Sequence, residues 1–157
     1  MRNPTISLPP WWRTIAAFAL TPLIAAFGVA CIGPGYGGYS KFPESILRTT
    51  YEFALFGGYP PTIVLGVPAF LFLRHRVRAS VLNCAATGAV VASLPWFVLG
   101  LGSHPDYAAT NGHVTNMNGA MTGWGWIYLI ELCGAMALLG AFSGALFWVI
   151  AAAGARR

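Results

Sequence analysis

Charge is what this sequence has least of. Only 8% of its 157 residues are charged, and the acidic side chains number four; a soluble domain carries about 25% charged residues. So few charges cannot cover a water-facing surface, which excludes an ordinary soluble domain and leaves lipid as the tolerant solvent. Cysteine is scarce as well. Cys31, Cys84 and Cys133 lie in or beside apolar runs and form no CxxC pair, which excludes a thiol-redox motif and a zinc ribbon. They read as small apolar packing residues. Catalytic signatures are missing too: there is no HExxH, no GxSxG, no phosphate loop and no pair of intramembrane histidines to hold a haem. The glycine-rich GPGYGGY stretch has neither a strand–helix setting nor a P-loop lysine, and reads as an interfacial turn. Neither a catalytic set nor a cofactor is expected.

The net charge of +5 comes from nine basic residues. Arg2, Arg13, Arg74, Arg76, Arg78, Arg156 and Arg157 sit just outside apolar runs. No basic stripe is interleaved with exposed aromatics, so nucleic acid is not expected as a partner.

What the sequence has in abundance is apolar length: 57% of it is hydrophobic. A spanning helix needs about 20 mostly apolar residues, and four segments qualify, at about 14–32, 50–73, 79–101 and 124–153. The expectation is an all-α integral membrane protein, a bundle of four transmembrane helices forming a single membrane domain over 1–157. Seven of the nine basic residues flank the same side of these spans, leaving Lys41 and Arg48 on the other. By the positive-inside rule both termini are cytoplasmic, and loops 33–49 and 102–123 face outward. Trp11, Trp12, Tyr36, Tyr39, Tyr51, Trp124 and Trp126 fall at the expected interfaces. A rival reading of the start exists. Arg13, the apolar run and Gly28-Val29-Ala30 also resemble a secretory signal with a small-residue cleavage site, whose removal would leave three spans.

In size and layout the chain is similar to the small four-span proteins of bacterial inner membranes. No motif transfers an activity from them. Small multidrug exporters also have four spans and an intramembrane glutamate, but theirs belongs near the start of the first span, where this sequence has none.

Glu131, in YLIELCGAM, is the most informative residue. It lies about two turns below the outer interface if Trp124 marks that interface. A carboxylate facing lipid is costly, so Glu131 is expected to face the bundle interior or a wet cavity. There it binds a cation or relays a proton, or else pins one helix to another. The second span contains Gly57-Gly58-Tyr59-Pro60-Pro61, and proline removes a backbone donor and clashes with the preceding turn. A kink or a break is expected at Gly57–Pro61. Both features fall roughly 10 Å below the outer interface. They suggest an outward-facing polar pocket lined by Glu131, Tyr59 and the backbone carbonyls freed around Gly57 and Gly58. Arg48 and Glu52, four apart, can pair on one helix face as an anchor, or turn toward an outer vestibule.

His104, Asp106 and His113 lie in the second outer loop, which reads as turn-forming and mobile, and their spacing matches no strong metal pattern. His75 belongs to the basic cluster after the second span. Gly140 and Gly144 form GxxxG, which serves dimerisation or packing within the chain equally well. The expected partners are therefore the lipid bilayer and a second copy or larger membrane complex. The first functional expectation is a non-catalytic accessory, assembly or regulatory component of the bacterial inner membrane. The alternative is a small-solute, ion or proton transporter or channel using the outer-half pocket around Glu131.

Overall fold

The structure, a computed structural model, describes residues 10–32, 43–74, 76, 80–103 and 105–151. Arg2, Tyr36, Tyr39, Lys41, His75, Arg78, His104, Arg156 and Arg157 lie outside the described residues. Four helices dominate: α1 (Trp11–Ile32), α2 (Glu44–Leu73), α3 (Val81–Gly102) and α4 (Gly123–Ala151). At 22 to 30 residues each is long and apolar enough to cross a membrane. At 1.5 Å per residue they measure roughly 33–45 Å.

The helix bounds follow the apolar runs, with one informative difference. α2 starts at Glu44, inside the segment expected to be loop. Its first turns are polar on average but sided: Ile46, Thr49 and Thr50 are buried, while Arg48 and Glu52 are exposed. The Thr50 hydroxyl donates to the Ile46 carbonyl at 2.7 Å. A window that averages hydropathy passes over such a segment, whereas a neighbouring helix reads only its apolar side.

α2 remains helical through its proline pair. Two π-helical stretches, Phe53–Gly58 and Thr62–Gly66, bracket Tyr59–Pro61. Pro60 and Pro61 withhold the donors that would close on Phe56 and Gly57, and their rings crowd the preceding turn. The helix widens instead of ending. Tyr59 N–H donates to the Ala54 carbonyl and Val67 N–H to the Thr62 carbonyl, each five residues back.

The all-α expectation needs correction. Residues 107–121 form a three-stranded antiparallel sheet in the order β1 (Tyr107–Thr110), β2 (His113–Met117), β3 (Ala120–Met121). Its two turns are Asn111-Gly112, at φ 50° and 80°, and Asn118-Gly119, at φ 51° and 72°. Asn-Gly with both φ positive is the two-residue turn whose twist matches paired strands. A segment read as mobile loop is thus a small sheet, tied to α4 by Thr122. The Thr122 hydroxyl donates to the Val114 carbonyl at 2.6 Å and caps the helix by accepting from Gly125 N–H at 3.2 Å. His113 stacks on Trp124 with ring centroids 3.9 Å apart. Gly125 sits against the Thr115 carbonyl, where a Cβ would have no room.

Successive helices alternate in direction. α3 and α4 form the closest pair, because Gly88 of α3 lies against Gly140 and Gly144 of α4 backbone to backbone. The GxxxG pair therefore serves packing within the chain. α1 packs against α2 and α4 through small residues, with Ala17, Ala26 and Ala30 buried. Phe18, Phe70 and Phe147 meet edge to face, with centroids 4.8–5.7 Å apart, and join α1, α2 and α4. α2 and α3 touch mainly around Tyr59–Gly66. Among the described residues no large side chain is fully buried.

Candidate functional site

The four helices enclose a long slot between them, with a volume of about 520 Å³. Every helix contributes a wall. On α3 the wall runs from Asn83 to Trp96, and on α4 from Met136 to Ala151, which makes the slot about 20 Å long. Its lining is chiefly small and apolar. Glycines and alanines hold the helices close on one side, while the limited α2–α3 contact leaves the slot partly open.

Four hydroxyls line it, one from each helix: Thr21, Thr62, Thr87 and Ser143. Three of them donate to a carbonyl one turn back, Thr62 to Gly58 at 2.7 Å, Thr87 to Asn83 at 2.8 Å and Ser143 to Leu139 at 2.8 Å. That back-bond is how a helical hydroxyl is satisfied in apolar surroundings. Thr21 differs. It is 7% exposed, and its Oγ1 has no hydrogen-bond partner. At the end of the slot away from the sheet lie Arg74, Asn83 and Trp148. The Arg74 guanidinium also sits 5.1 Å from the centre of the Trp11 ring, which fixes its direction.

The residues expected to form one polar pocket are placed apart. Gly57 and Gly58 do line the slot, and Gly58 packs against Pro22 of α1, where a Cβ would approach the proline ring at 3.1 Å. Tyr59 does not line it; its hydroxyl crosses to α1 and donates to the Ala19 carbonyl at 2.8 Å. Arg48 and Glu52 pair with each other at 3.0 Å on the exposed face of α2, away from the slot. Glu131 does not line the slot either, and it is exposed. It lies on the outward stripe of α4 with Ile127, Leu138, Phe142 and Val149, opposite the buried Gly125, Leu129, Gly140 and Gly144. Among the described residues Glu131 has no ion-pair or hydrogen-bond partner. Its level is fixed by Leu129, which packs onto Gly100 near the end of α3.

Thr21, Asn83, Ser143 and the slot itself were not singled out from the sequence. One signal was present: the buried face of α1 is Thr14, Ala17, Thr21, Pro22, Ala26 and Ala30, a run of small residues mostly three and four apart. Such a stripe marks close helix approach in apolar surroundings. Among the described residues no three His, Cys, Asp or Glu side chains gather as a metal site, and all three cysteines are thiols.

The site therefore belongs to a four-helix chain of membrane-crossing length, with an interior slot and with Glu131 on the outward stripe of α4. No known family model matches the chain, nor does any curated protein or solved structure.

Proposed function

We propose that this is a multi-pass protein of the bacterial inner membrane that acts by lateral association, as a non-catalytic accessory, assembly or regulatory component. In this reading both termini are cytoplasmic and the sheet lies on the outer side, as the arginine asymmetry favours.

The observation that carries the reading is the position of Glu131. A carboxylate on the lipid-facing side of an apolar helix is unfavourable by about 3 kcal/mol at mid-span on insertion scales, and by less toward the end. Glu131 sits on the outward stripe without a partner among the described residues. A neighbouring membrane helix that brings a cation or a hydrogen-bond donor to that level would remove the cost. The large apolar side chains around it, Leu138 at 75% exposed among them, supply contact area for such a helix. A transport role for Glu131 would need the acid to border the slot, and it does not line it.

The test places a photo-crosslinking side chain at Leu138, two turns from Glu131 on the same stripe. Native membranes should yield one discrete adduct, reduced about tenfold by Glu131→Leu, the effect of a lost interhelical hydrogen bond. Purified protein in liposomes should move no ion, proton or cationic dye. Flux that Glu131→Gln abolishes would overturn the proposal in favour of a transporter.

A further inference from the structure

We infer that the three-stranded sheet lies in the headgroup layer of the bilayer, with the face that carries Tyr107 and Met117 against the lipid. The inference rests on the four helices crossing a bilayer, and not on the lateral partner at Glu131.

Composition is the first argument. Residues 107–121 read YAATNGHVTNMNGAM and contain no Asp, Glu, Lys or Arg. A segment of that length held in water would carry about four charged side chains. Asp106 immediately precedes β1, at the border of the uncharged segment. Within that segment Tyr107 and Met117 are 68% and 58% exposed. They stand opposite each other in the β1–β2 ladder, so they share a face. An uncharged sheet that exposes a phenol and a thioether on one face suits the layer between water and hydrocarbon, where amphipathic rings gather.

Position is the second argument. Gly88 lies against Gly140, and Gly100 against Leu129. This antiparallel register brings Gly102, the end of α3, about level with Ile127. Trp124 and Trp126, both exposed, therefore sit within about one turn of the end of α3. Paired tryptophans at that level mark where the spans leave the hydrocarbon. The sheet is held there from both sides: residues 103–106 join α3 to β1, and Thr122 alone joins β3 to α4.

Direction is the third argument. Alternate residues of a strand line one face, so His113 and Met117 lie on the same side of β2. His113 stacks on Trp124. The face of Tyr107 and Met117 is thus the one that turns toward the first turn of α4. Past the Trp124 stack this face is exposed, and the medium beside that turn is lipid.

The test uses the full chain with Cys31, Cys84 and Cys133 replaced by alanine, and with an environment-sensitive fluorophore on Met117→Cys. The protein is placed alone in phosphatidylcholine nanodiscs, where both membrane faces are open to solutes. A lipid carrying a nitroxide near its headgroup should quench the label more than aqueous iodide does, and more than a lipid carrying the nitroxide at its chain end. Adding Tyr107→Asp should weaken nitroxide quenching and strengthen iodide quenching, with the circular dichroism spectrum kept. Tyr107→Trp should preserve the wild-type order. Dominant quenching by iodide before any change at Tyr107 would place the sheet in water and overturn the inference. Protection from both quenchers would assign the face to a second copy and overturn it equally. An order unchanged by Tyr107→Asp in a folded variant would overturn the contact of this face with lipid. Failure of the Leu138 crosslink would leave all these outcomes intact.

Discussion

Two hydroxyls of the bundle have opposite prospects. The Thr21 oxygen is buried without a partner, so it carries a desolvation cost with no bond to offset it. Thr21→Val keeps the shape and removes the oxygen. It should leave stability unchanged or raise it by about 1 kcal/mol, read as a higher thermal midpoint in detergent. Tyr59 donates to the Ala19 carbonyl across two helices, and Tyr59→Phe should lower stability by about 1 kcal/mol. A lower midpoint for Thr21→Val would contradict the unpartnered placement of this hydroxyl. The exposed Arg48–Glu52 pair should matter little, about 0.3–0.5 kcal/mol at this i,i+4 spacing. That pair was legible from spacing alone, since two residues four apart on a helix meet whatever surrounds them. The direction of Glu131 was not. In a helix that is apolar all round, no polar face reveals which side is turned inward.

The helices differ in what holds them. α3 and α4 approach through glycine, and a side chain at Gly140 would meet the Gly88 carbonyl and the Ala92 methyl. Backbone cannot yield as a flexible side chain does. Gly140→Ala should therefore lower stability by roughly 1–3 kcal/mol, the usual cost of overpacking. Gly134 sits on the same helix with open space around it, and Gly134→Ala should raise stability by about 0.5–1 kcal/mol through helix propensity. Thermal unfolding of the two variants side by side should give shifts of opposite sign; shifts of the same sign would contradict the α3–α4 contact. The GxxxG spacing was visible in the sequence, but which helix would fill it was not. For the sheet, the Asn-Gly pairs were visible as turns. The short flanking strands, YAAT and HVTNM, carry too weak a period-two pattern to be separated from loop, and their anchor is Thr122, eight residues beyond the first strand partner it bonds.

At the level of the whole molecule, the charge asymmetry yields an orientation that labelling can read. With Cys31, Cys84 and Cys133 replaced by alanine, Ser103→Cys should react with an impermeant thiol reagent from outside intact cells. Arg157→Cys should react only after the membrane is opened. Reaction of both from the same side would rule out four spans with both termini cytoplasmic. The number of apolar helices needed only composition and length, because lipid selects for an unbroken apolar run of a given extent. For the same reason the arginines could be sorted to one end before any contact was known. Which helices are neighbours, which way Glu131 points and where a slot remains depend on rotation about each helix axis. Rotation is recorded in a soluble helix by its polar face, but here lipid and protein interior are equally apolar and that record is nearly blank. Contacts of glycine with glycine, phenylalanine with phenylalanine and Tyr59 with Ala19 set those angles, and they exist only once the chain is folded.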